Sequence, residues 1–238
     1  MQRREKMKRV VSLITGIMIV SSLVVAQDVG TMAGTPAEGH VTLQFSCENA
    51  SRMYDFDLFR EKVYQRMYQG TLSYSFSPWV NVYGFVGSSD FPNSFADTKK
   101  QIYYGGGVKL MLIGGEIYIE ENTRSRIHLK GGIGLDFKVG RLQSRDGELY
   151  STFDLTEYQA AIDFGLRVLM VTTYCGFKLS WVNGDMTLVD ETDMHLKGRG
   201  LFSMFIGGNV DLTKYVALTS EFSFFTEKSW SLGLRITV

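Results

Sequence analysis

Cysteine is scarce in this chain, with Cys47 and Cys175 the two present among 238 residues. An oxidising compartment would permit one bridge between them. Both fall on the apolar faces of their segments, far apart in order along the chain. Two apolar-facing thiols are therefore the expectation, with a disulfide as the alternative. Proline is also rare, at 3 residues. Charge of one sign is missing altogether, because 25 basic side chains balance 25 acidic ones. That balance gives no footing for nucleic acid or for an acidic partner. Beyond the N-terminus no stretch stays apolar for the ~20 residues a membrane helix needs.

Metal and cofactor signals are absent too. No spacing of acids or histidines defines a metal site, and none is expected. The glycine runs 105–107 and 131–134 lie inside apolar-periodic segments. They lack the strand–loop–helix setting of a phosphate cradle, so neither nucleotide nor other cofactor binding is expected.

What is present begins with an export pattern. Arg3, Arg4, Lys6, Lys8 and Arg9 precede an apolar run from Val10 to Val25, and Val24-Val25-Ala26 supplies a cleavage site. Residues 1–26 read as a signal peptide cut after Ala26, the alternative being an uncleaved anchor helix. Residues 27–39 read as a short periplasmic segment. No Cys follows the apolar run, so a lipid-modified N-terminus is not expected.

From residue 40 one theme repeats. Segments of roughly 8–16 residues alternate apolar with polar or small residues, separated by turn signals. Trp230, Leu232, Leu234, Ile236 and Val238 share one face of the last, with Ser231, Gly233, Arg235 and Thr237 on the other. Ile127 to Val139 and Tyr158 to Val168 alternate in the same way. Aromatics are abundant, at 12 Tyr and 16 Phe, which favours strands. Connections near 77–78, 121–123, 169–172 and 211–214 read as short turns. Those near 48–61, 88–100, 141–151 and 183–199 read as longer, polar loops. The pattern predicts an all-β fold over residues 40–238: a closed antiparallel up-and-down transmembrane β-barrel of ten strands. Eight strands are the alternative if the first pair is mostly loop or two segments merge.

Period two cannot by itself say which face meets lipid. The polar face decides it, because it carries Gly105, Gly107, Gly132, Gly134, Gly165, Gly207 and Gly233. A water-exposed strand face has no need of small residues, whereas a narrow lumen is crowded. The same face carries Lys109, Arg126, Lys130, Asp136, Lys138, Asp163, Arg167, Lys178, Glu221 and Arg235. Their mixed signs suit a buried ion-pair network, or the lining of a narrow anion path if pairing is incomplete. Trp79, Tyr83, Trp181, Tyr215 and Trp230 stand near strand ends, as membrane-interface aromatics do.

The run from Tyr74 to Gly87, YSFSPWVNVYGFVG, resembles the strand–turn–strand hairpin of small bacterial outer-membrane barrels. Lys214 to Phe225, followed by the terminal strand, is similar to the closing hairpin of OmpA-like and opacity-like barrels. Those families end in Phe or Trp, where this chain has Val238. The resemblance implies residence in the outer membrane, among its lipid and lipopolysaccharide. It also implies assembly by the barrel-assembly machinery through the C-terminal strand. It names no activity, because this scaffold serves adhesins, channels, structural proteins and a few enzymes. The expected role is structural or surface-interacting, carried by a monomer through its long loops and without enzymatic chemistry. A narrow channel is the alternative. A hydrolase stands further off: Asp193-Met-His195 resembles one acid–His pair of ten-stranded outer-membrane proteases, with Asp90 or Asp97 as lone candidates for the second acidic pair. His128 reads as part of the lumen network, and His40 has no apparent catalytic partner.

Overall fold

The structure, a computed structural model, describes residues 39–56, 60–91, 101–122, 125–145, 150–188, 193–199 and 202–238. The signal segment lies outside the described residues. Eleven strands follow in order: β1 Val41–Phe56, β2 Arg60–Ser77, β3 Val80–Asp90, β4 Gln101–Asn122, β5 Ser125–Arg145, β6 Tyr150–Val168, β7 Val171–Leu188, β8 Asp193–Arg199, β9 Phe202–Asp211, β10 Val216–Phe225 and β11 Glu227–Thr237. Ten of them form a closed antiparallel barrel with up-and-down connections. β11 zips onto β1 from Thr42↔Thr237 to Arg52↔Glu227, which removes both sheet edges. The eight-stranded alternative is overturned.

Turn chemistry sets one end of the barrel. Pro78 and Trp79 join β2 to β3, and Leu169 and Met170 join β6 to β7. Leu169 adopts φ 55°, as the first central residue of a primed hairpin turn does. Thr213 closes the β9–β10 turn by accepting the Tyr215 and Val216 amides on its Oγ1 at 3.1 and 3.0 Å. At the other end ten residues separate β3 from β4, and Thr226 alone separates β10 from β11.

Three of the four segments expected to be loops at that end, 48–61, 141–151 and 183–199, are largely strand among the described residues. β1 runs to Phe56 where a loop was expected from residue 48; β5 and β6 run through much of 141–151; β7 continues to Leu188. The reason is a reversal of polarity along each strand. In the lower part of β7, Cys175, Phe177, Leu179 and Trp181 face outward while Lys178 and Ser180 are buried. Above Trp181 the apolar residues turn inward: Val182 and Met186 are buried, and Asn183 and Asp185 are exposed. In sequence, such a change of phase reads as the end of a strand. A strand of about 9–11 residues crosses a bilayer. β9, β10 and β11 have 10, 10 and 11 residues and just span it, while β7 with 18 rises beyond it.

β8 fills the gap above the short strands. It pairs with β7 through Asn183↔Lys197 to Thr187↔Asp193, and with β1 through Met53↔Arg199 to Phe56↔Leu196. The wall is therefore ten-stranded in its lower tier and closed by β8 instead of β9–β11 in its upper tier. The upper tier has a core of its own. Tyr54, Val63, Met67, Phe91, Leu142, Phe153, Leu155, Val182, Met186, Met194 and Leu196 form one buried cluster with Tyr83, Phe85 and Tyr103. Phe91, just past the end of β3, meets Phe153 of β6 edge-on across it, with centroids 5.8 Å apart.

Candidate functional site

Below the apolar cluster lies a layer of charge. Arg52 on β1 reaches across the lumen and donates from Nη2 to Glu157 Oε1 on β6, at 2.8 Å. The same guanidinium also bonds Glu227 on β11. Lys178 on β7 donates from Nζ to Glu227 Oε1 at 2.7 Å, and Ser229 Oγ donates to that oxygen at 2.7 Å. Lys138 stands 4.7 Å over the Phe85 ring. Glu48, Arg52, Lys138, Glu157, Lys178 and Glu227 are all buried, three cations against three carboxylates. Withdrawing charges from water is costly, and repayment requires close, hydrogen-bonded pairs. Arg52, Glu157, Glu227 and Lys178 supply them, bridging wall to wall.

A second layer sits nearer the short turns. Tyr83 Oη donates to Asp136 Oδ1 at 2.8 Å, and Lys109 Nζ lies 3.7 Å from Asp136 Oδ2. Tyr174 Oη donates to Glu221 Oε2 at 3.0 Å. Asp163 is buried at this level. At the rim, Arg167 Nη2 and Arg235 Nη2 converge on Asp211, at 2.7 and 3.3 Å. Glycine makes room for these rings. A Cβ on Gly107 would come within 2.4 Å of Tyr83 Oη, and one on Gly207 within 2.2 Å of Tyr174 Cζ.

Nine of the ten charges singled out in the sequence can be placed. Asp136, Lys138, Asp163, Lys178 and Glu221 are buried in the lumen; Lys109, Lys130, Arg167 and Arg235 are half-buried on the same face or at its rim. The side chain of Arg126 lies outside the described residues, as does that of His128. Sequence reading missed Glu48, Arg52, Glu157 and Glu227, the heart of the network. Their signal was phase: Glu227 continues the row Ser229, Ser231, Gly233, and Glu48 and Arg52 continue Gln44 and Ser46.

Among the aromatics, Trp79, Trp181 and Tyr215 are exposed on the exterior, and Trp230 is half-buried in the outward row of β11. Tyr83 is a correction, because it points into the lumen. Val80, Val82 and Val86 take the lipid face of β3, so Asn81, Tyr83 and Phe85 turn inward. The exterior girdle instead includes Phe177, Phe202, Phe224 and Phe225, whose rings pack in a chain with centroids 5.3 to 6.3 Å apart. Between the girdles, Phe45, Leu72, Val86, Phe137, Phe164, Ile206 and Leu232 are all exposed. So wide an apolar band is stable only against lipid. Cys47 and Cys175 both lie on this outward face as free thiols.

Among the described residues of 183–199, Asp185, Asp193 and His195 form no catalytic cluster, and Asp190 and Glu191 lie outside the described residues. Asp193 accepts from Thr187 Oγ1 at 2.8 Å, and His195 Nδ1 lies 2.7 Å from Asp185 Oδ1 on the outer side of the β7–β8 hairpin. Asp90 ends β3, separated from β8 by β1 and β2. Asp97 lies outside the described residues. No group of three or more His, Cys, Asp or Glu among the described residues could hold a metal.

Beside Arg52, a cavity of about 10 Å³ lies among Glu48, Tyr54, Gln65, Glu157 and Glu227, room for no more than about one water.

No protein-family model and no curated protein matches the chain. Solved structures similar to it include Ail, the attachment invasion locus protein of Yersinia pestis, in complex with the heparin analogue sucrose octasulfate. That likeness has 13% identity over 84% of this chain and 99% of that one, at a TM-score of 0.36. Neisserial surface protein A is similar at 10% identity over 84% and 99%, with a TM-score of 0.35. An outer membrane channel from Pseudomonas putida F1 is similar at 9% identity over 89% and 99%, with a TM-score of 0.36. The exterior belt, rather than these likenesses, carries the assignment: the chain is a membrane-spanning β-barrel of the architecture found in bacterial outer membranes.

Proposed function

We propose that this protein is an exported outer-membrane barrel with a sealed lumen, and that its role is structural or surface-interacting. The observation that carries this reading is the wall-to-wall layer of Arg52, Glu157, Glu227 and Lys178 beneath a buried apolar cluster. A solute path would need continuous room for water, whereas at this layer charge meets charge and the cavity beside Arg52 has about 10 Å³. In this reading the signal segment is removed on export and both chain ends face the periplasm. The upper tier then stands outside the cell, where its polar exterior and long connections meet partners, in a protein that acts as a monomer. The test is single-channel recording on refolded protein in a planar bilayer. A silent membrane is expected. Stable steps whose size follows salt concentration would overturn the sealed lumen and favour a narrow channel.

A further inference from the structure

On the lipid-facing wall, where β1 closes onto β11, lies a groove of about 580 Å³. Phe45, Tyr68, Leu218, Leu232 and Leu234 wall it and Gly70 forms part of its floor. Neighbouring outward positions carry large side chains, so Gly70 leaves a slot in an otherwise filled belt. Directly above the slot stands a basic collar. Lys62 and Arg66 on β2 and Lys228 on β11 are exposed on outward rows. Arg66 Nε donates to Asn49 Oδ1 at 3.1 Å, one of five guanidinium donors, and Asp90 is its cross-strand neighbour. Lys228 precedes Leu232, and Arg66 precedes Gly70, by four residues, about 13 Å along a strand. That is the reach from a lipid phosphate to the upper part of its acyl chain. On β5 and β6, across the barrel, the exposed Arg141 is instead engaged by Asp154.

We propose that this seam is a binding site for a phosphorylated membrane lipid. One acyl chain lies in the groove over Gly70, and the phosphate is held by Arg66, Lys62 and Lys228. The inference rests on the membrane reading above and adds a headgroup class to it. Charge complementarity selects the occupant: an apolar slot capped by cations fits an anionic lipid, whereas a zwitterionic lipid would gain only the slot.

The test uses the three tryptophans. Trp230 stands in the outward row between Lys228 and Leu232, whereas Trp181 lies on β7, separated from β11 by β9 and β10. Two full-length proteins are prepared, one keeping only Trp230 and one only Trp181, the others replaced by Phe. Each is refolded into phosphatidylcholine vesicles, and quenching by brominated phosphatidic acid is compared with quenching by brominated phosphatidylcholine. Trp230 should favour the anionic lipid by about fivefold or more, the effect of a single Lys or Arg at a charged lipid surface. Trp181 should show no preference. Lys62→Gln, Arg66→Gln and Lys228→Gln together should abolish the preference at Trp230. Gly70→Leu should weaken it by filling the slot. The nearest atoms to a Cβ there, on Phe45 and Val86, are 3.8 Å away, an ordinary van der Waals contact. Equal quenching of both tryptophans by both lipids would overturn the site and leave the membrane reading standing. Failure of phosphatidylcholine to quench either tryptophan would overturn the membrane reading itself.

Discussion

Arg52→Ala tests whether the lumen is dry. The substitution removes the guanidinium that bridges Glu157 and Glu227, whose side chains are only 8% and 2% exposed. Removing one partner of a buried pair costs about 3–5 kcal/mol, because the opposing charge stays buried. Lys178 still neutralises part of Glu227, and the vacated volume admits water beside a cavity already there. The lower end, about 3 kcal/mol, is therefore expected, roughly a hundredfold in the unfolding constant. In a water-filled lumen the same pair would be screened and worth about 0–1 kcal/mol. The measurement is reversible urea unfolding in lipid vesicles followed by tryptophan fluorescence, with gel mobility without boiling as a second readout. A control separates charge from packing: Arg52→Met with Glu157→Gln should recover most of the loss, since it leaves the Lys178–Glu227 pair intact and replaces the other buried pair by neutral packing at little cost. A loss below about 1 kcal/mol for Arg52→Ala would refute the dry layer, whatever the conductance shows.

Gly207→Ala should cost about 1–3 kcal/mol in the same assay by displacing the Tyr174 ring and straining its bond to Glu221, and Tyr174→Phe should relieve none of the clash. Leu196→Ala should cost about 2–5 kcal/mol within the upper tier, and amide exchange should quicken in β8 and leave β9–β11 unchanged. Asp154 lies above the lipid belt, and its hydrogen bonds from Arg141, foremost, and from Gln143 hold its carboxyl below the usual aspartate range. A depressed carboxyl stabilises the fold above its unfolded-state value, near 3.9, and loses that contribution as pH falls through the folded one. Carbon-detected NMR should show that low titration, and Arg141→Ala should raise it. Val238→Phe should leave barrel assembly equal or improved; impaired assembly would mean that the terminal strand does not present this face to lipid.

The barrel was legible because strand alternation is local. Trp230 to Val238 needs no knowledge of any other segment to display one apolar and one polar face, and Gly107 and Gly207 on polar faces already imply a crowded interior. Tyr83 was misread because nearness to a strand end looks the same for either face; the valines at 80, 82 and 86 assign it inward. The upper tier was misread as loop for a related reason. Past Trp181 the apolar residues change face, and a window that follows one face sees the strand stop.

The sequence by itself determined the fold class, the short-turn end and which residues meet lipid in the lower tier, all consequences of period two and of turn chemistry. Only the tertiary structure decided that Arg52 meets Glu157, residues 105 apart in the chain, or that Lys178 meets Glu227. Such pairs depend on register and closure summed over ten strands, and a shift of one residue in any pairing would turn a lumen charge toward lipid. Closure also decided the place of β8: its seven residues complete the wall only because β9, β10 and β11 end at the membrane and β1 does not.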